Sequence, residues 1–142
     1  MRTESTLDYA DARAAIDAMR RELENRRRAA VMAVADMRGE LICLERMDGV
    51  QTTSVRVATN KAWTAARLDS PSGDVGRAAQ QQGWDFCYYD DTRYIGWGGG
   101  LPVRVGGAVV GGVAVSGLSQ EEDIAIAEIG VAAIHTQSGD RS

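Results

Sequence analysis

The segment SVRVATNKAWTAARLD sets a lysine, Lys61, among alanines at helical spacing. A cation on a small-residue helix face either runs out to solvent along its aliphatic stem or points into a cavity. In a cavity it could pair an anionic ligand group. Arg46 and Asp48 stand close together in ERMDG, beside a glycine. Arg46 could grip a carboxylate through its planar fork. The alternative is an Arg46–Asp48 salt bridge across a hairpin end. In SGLSQEED, Ser116 offers a hydroxyl, and Glu122 and Asp123 offer carboxylates that could move a proton if burial raised their pKa.

Other chemistries find no support. The sole histidine, His135, has no partner at metal-ligand spacing, and no HExxH occurs. A lone histidine near a helix end is ordinarily satisfied by the helix dipole or by solvent. One possible histidine base and no GxSxG around Ser116 also argue against a nucleophilic triad. The glycine-rich run GWGGGLPVRVGGAVVGG contains no GxGxxG. Gly107 to Gly112 has the Walker spacing, but Val113 stands where the lysine must be. Cys43 and Cys87 fit no CxxC pattern and read as buried free thiols.

These residues need elements to position them. Thr6 to Arg28 reads as an amphipathic helix with Ala12, Ile16, Met19 and Leu23 on one face and Ser5 or Thr6 as its cap. Its RRELENRRR stretch is interrupted by glutamates and reads as a solvated face. Ala30–Ala35 and Leu41–Leu44 flank DMRGE as a hairpin. The second run is apolar on consecutive residues, so a strand covered on both faces or in an interface is expected there. The Lys61 segment follows as a helix, broken by SPSGDVG, and GRAAQQQG suggests a short helix after it.

Six of the eight aromatics fall between Trp84 and Trp97. They serve either as a cover over the core or a subunit contact, or as the wall of a ligand pocket, with Tyr94 and Trp97 nearest the glycines. Gly106-Gly107 suits a two-residue hairpin turn between Val-rich strands. Ser119 with Glu122 forms a capping box for a last helix, with Ile124, Ala127, Val131 and Ile134 as its buried stripe. The order predicts an α+β domain, an antiparallel sheet of about five strands with helices packed on it.

At 142 residues, 44% apolar and 25% charged, the chain fits a single domain, 1–142. A net charge of −4 gives no basic field for nucleic acid or an anionic membrane. No secretory signal and no apolar run of spanning length occur, so a cytoplasmic location is the expectation.

Three motifs in order resemble a known family. AVADMRGELICLERMDGV, SVRVATNKAWTAA and GGGLPVRVGGAVVGGVAVSGLSQEED look like the GlcG/HbpS proteins, also called haem-degrading or DUF336 proteins and similar to the PduO C-terminal domain. The resemblance is strongest over 30–133. It implies an antiparallel α+β fold, homo-oligomers and, in some relatives, bound haem or another tetrapyrrole. By the same analogy the triplet Gly98, Gly99, Gly100 lies opposite Lys61, next to Trp97. Haem-binding relatives that use a histidine draw it from the N-terminal part of the domain, where this chain has none. Cys43, Cys87, Tyr88 or Tyr89 would be the remaining axial ligands.

Three functions follow as expectations. The first is a small-ligand pocket protein binding haem or a small aromatic or carboxylated metabolite. Its ligand-binding residues would be Arg46, Tyr94, Trp97, Gly98, Gly99, Gly100 and Ser116. The second is a cofactor-independent lyase or isomerase on an aromatic substrate, of the hydroxylaminobenzoate type, with Lys61, Glu122 and Asp123 catalytic. The third is a non-catalytic oligomeric accessory protein. No metal is expected, and haem is the one cofactor under consideration.

Overall fold

The computed structural model describes residues 1–138. Helix α1 (Tyr9–Asn25) precedes the hairpin β1 (Val31–Asp36) and β2 (Leu41–Arg46). Helices α2 (Thr53–Leu68) and α3 (Ser72–Gln82) follow. A short 3-10 turn, Phe86–Tyr89, leads into the second hairpin, β3 (Gly100–Val105) and β4 (Ala108–Ser116), and α4 (Gln120–Gln137) closes the fold. The four strands form one antiparallel sheet in the order β2-β1-β4-β3. The antiparallel α+β fold is the one the sequence predicts, its four strands close to the expected number of about five.

The hydrophobic pattern explains the layers. Alternate residues of β1 face opposite sides: Met32 and Val34 pack with α1 and α4, while Val31, Ala33 and Ala35 pack with Ala58 and Ala62 of α2. A strand covered on both faces reads as an unbroken apolar run, and β1 shows that pattern. The sequence pointed to β2 for this role. Instead β2 is a half-buried edge strand with Leu41 exposed.

Helix α1 buries Ala12, Ile16, Met19 and Leu23 completely, each of the larger side chains contributing roughly 1.5–3 kcal/mol by leaving water. It starts later than its pattern suggested. Asp8 and Asp11 form a reciprocal capping box, whereas the Thr6 hydroxyl accepts from Met37 N at 2.9 Å and ties the N-terminal segment to the first hairpin. In α4 Ser119 caps as expected, accepting from Glu122 N, but the Glu122 carboxylate meets the Ser119 hydroxyl and not its backbone N–H. The buried stripe is instead Ile126, Ala127, Gly130 and Ile134, with Ile124 and Val131 half-buried. Gly106 and Gly107 both take positive φ, as a two-residue turn of this hand requires. Cys43 is half-buried and Cys87 exposed, so the expectation of two buried thiols does not hold.

Candidate functional site

Helix α2 presents Ser54, Val57 and Lys61 along one side, three and four residues apart and therefore on one face. The end of β4 brings Ser116 and Gly117 to the same place, and the first turn of α4 brings Gln120 and Asp123. The turn after β2 supplies Asp48 and Gln51, and Trp97 and Gly98 close the remaining side. Together they bound an open cleft of about 760 Å³.

Lys61 and Asp123 meet at its floor. The Lys61 ammonium donates to Val115 O at 2.9 Å and to Asp123 Oδ2 at 3.1 Å. Asp123 Oδ1 accepts from Leu118 N at 3.1 Å, so backbone and cation hold both carboxylate oxygens. The two side chains are only 3% and 4% exposed. Burial disfavours both charges. It lowers the Lys61 pKa against the opposing pull of Asp123, and it raises that of Asp123 against the opposing pull of Lys61. Both shifts narrow the difference in proton affinity between the two groups.

Two polar groups of the cleft have bonding capacity left over. An ammonium has three donors, and Lys61 uses two on protein acceptors among the described residues. The Ser116 hydroxyl, on a residue 6% exposed, makes no side-chain hydrogen bond among them. Both could be satisfied by a ligand.

The glycine triplet is shaped by Lys61. Gly99 has φ +126°, and a Cβ there would stand 2.8 Å from Lys61 Nζ and 2.6 Å from Val115 O. A Cβ on Gly100 would meet the Lys61 carbonyl at 2.4 Å. Gly98 alone of the three lines the cleft, with its N–H donating to Gln120 Oε1 at 2.8 Å. Gly99 and Gly100 lie behind the lysine, making room for it.

The remaining sequence candidates divide. Lys61, Asp123, Ser116, Trp97 and Gly98 come together in the cleft. Glu122 turns away, pairing with Arg28 at 2.9 Å and bonding the Ser119 cap. Arg46 is exposed at the end of β2, outside the cleft, and forms no ion pair with Asp48 among the described residues. Tyr94 stacks on Tyr89 at 4.4 Å and accepts from Arg67 Nε, in an aromatic cluster with Trp84 and Phe86 apart from the cleft. Trp63 borders that cluster edge-on to Tyr94, with the Arg93 guanidinium 3.5 Å from its ring centre.

Sequence reasoning passed over Ser72. Its buried hydroxyl donates to Trp97 O at 2.6 Å and accepts from Gly100 N at 3.0 Å, pinning both ends of the triplet. It lies in SPSGDVG, where proline and glycine suggested only a helix break. The lysine itself carried an unused signal: Lys61 is the only lysine in a chain otherwise supplied with arginine.

The donor set does not suit an axially held haem. No histidine, cysteine, methionine or tyrosine lines the cleft. His135 lies in the last turn of α4, about 22 Å along the helix axis from Gln120 at the cleft. Among the described residues no group of three or more His, Cys, Asp or Glu could hold a metal ion. No described helix is long and apolar enough to cross a membrane.

Residues 7–132 match the family model described as haem degrading protein, HbpS-like. An uncharacterised 15.0 kDa protein from the dhaT–dhaS intergenic region of Citrobacter freundii is 35% identical over 100 residues, covering 69% of this chain and 70% of that protein. The crystal structure of Klebsiella pneumoniae protein ORFY superposes with a TM-score of 0.86 at 28% identity, covering 94% of each chain. A double mutant of Streptomyces reticuli HbpS gives 0.86 at 26% identity, covering 95% of this chain and 91% of that one.

Proposed function

The chain belongs to the HbpS-like family of haem-degrading proteins, and from that membership we propose that it binds a small carboxylated or aromatic metabolite in the cleft above Lys61 and Asp123. One observation carries the reading: a buried cation at the floor of an open cleft has one donor unused, beside an unbonded Ser116 hydroxyl. A ligand carboxylate satisfies both groups, and the face of Trp97, 62% exposed at the rim, covers a flat ring. The N-terminus of α2 also borders the cleft, without an acidic residue in its first turn or a side-chain cap. Its dipole favours an anion there. Asp123 is the group positioned to carry a proton, which gives the lyase or isomerase version of the reading its acid–base residue.

Haem is the second reading, favoured by the family's description and opposed by the absence of histidine, cysteine, methionine and tyrosine from the cleft. Titration of the purified chain with benzoate, followed by Trp97 fluorescence, separates the two. Saturable quenching that is lost in Trp97→Phe and weakened at least about tenfold in Lys61→Met is the expected result. A haemin titration giving a sharp Soret band, with no response to benzoate, would reverse the order of the readings.

A further inference from the structure

We propose that Lys61 reacts covalently, forming a reversible imine with a small aldehyde or ketone bound in the cleft. This rests on the small-ligand reading above and deepens it by naming the reactive group of the ligand. Every other basic side chain except His135 is an arginine, and a guanidinium does not give up its proton in a protein. The one amine side chain is placed at the floor of a cleft with a carboxylate 3.1 Å from its nitrogen. An ion pair serving the fold alone needs neither a cleft above it nor an unused donor on the nitrogen.

Asp123 supplies the first and last proton transfers. Asp123 takes a proton from the ammonium, leaving a neutral amine whose lone pair attacks the carbonyl carbon. A proton passes from nitrogen to oxygen to give the carbinolamine. Asp123 then returns its proton to the carbinolamine hydroxyl, the C–O bond breaks, water departs, and the C=N bond forms as a protonated imine. Ammonium and carbonyl become iminium and water, with no electron gained or lost. The site holds one cation against one carboxylate at the start and at the end, so no net charge is created in a buried place. Burial, which lowers the Lys61 pKa, assists the first step.

The full chain can be tested directly with glyoxylate and cyanoborohydride at neutral pH, because it has only two kinds of amine, Lys61 and the amino terminus. Reduction fixes an imine as a carboxymethyl amine, read by intact mass. A modified Lys61 also resists trypsin, so the peptide from Val57 to Arg67 survives uncut. The expected result is saturable labelling of Lys61, at least about tenfold faster than the amino terminus, slowed by benzoate and lost from position 61 in Lys61→Arg while the terminus still reacts. Labelling of the amino terminus alone, or equal unsaturable labelling of both, overturns the proposal. The two readings fail separately. Benzoate binding without labelling removes the imine and leaves the cleft reading. Labelling of Lys61 that benzoate does not slow, with no benzoate binding, keeps the imine and removes the carboxylate site.

Discussion

At the residue scale the buried Lys61–Asp123 pair bears on both stability and the proposed imine chemistry. Two charges taken out of water hold each other there, so removing one strands the other. Lys61→Met should cost about 3–5 kcal/mol in urea unfolding, and Lys61→Met with Asp123→Leu should recover most of it. A double variant no more stable than the single one would show that the pair is not the source of the cost. Reactivity follows the lowered Lys61 pKa. Below that pKa the nitrogen is mostly ammonium, reactive only while Asp123 holds its proton, and above it the free amine predominates. The amine-attack limb of the pH–rate profile should therefore rise with pH and reach its midpoint below the 10.5 of an ordinary lysine. Both members of the pair were legible as candidates, one from its small-residue helix and one from its acidic turn. Their contact was not, because it joins positions 61 and 123 and no local pattern reports on it. Glu122 looked equivalent to Asp123 until the helix phase turned it toward Arg28.

At the element scale, most parts set by neighbouring residues were readable and those set by distant ones were not. The Gly106-Gly107 turn and the Ser119 cap are local devices, and both stand where their residues suggest. The start of α1 is set by the Asp8–Asp11 capping box, a local signal left unread, while Thr6 is drawn off to Met37 in the first hairpin. The aromatic run gave its composition but not its direction: Trp97 reaches the cleft, whereas Tyr94 turns to Tyr89. The segment from Trp97 to Gly100 joins the two regions, held by Ser72 and Gln120. Gly99→Ala tests it. At φ +126° an added methyl is strained and meets Lys61 Nζ and Val115 O, so about 1–3 kcal/mol should be lost. Benzoate quenching should fall with it as the lysine is displaced, and an unchanged melting temperature with normal quenching would contradict the crowding.

At the scale of the whole molecule, β2 leaves an edge with Leu41 exposed, and Tyr88 and Trp97 are exposed at 81% and 62%. These fit the self-association proposed from the family resemblance. Native mass spectrometry should give a closed multiple of the chain, and a monomer at micromolar concentration would remove the proposal. The strand order has a further consequence, for the route by which the cleft comes into being. Each hairpin closes over a short loop, but β1 meets β4 only when the two halves of the chain find each other. Short closures are fast and distant ones slow. The cleft draws its wall from α2 in one half and from β4 and α4 in the other, so neither half contains it. The proposed ligand recognition is thus a property of the late-assembled molecule. A nascent or partly unfolded chain has nothing to bind with, and a bound metabolite would hold the two halves shut by mass action.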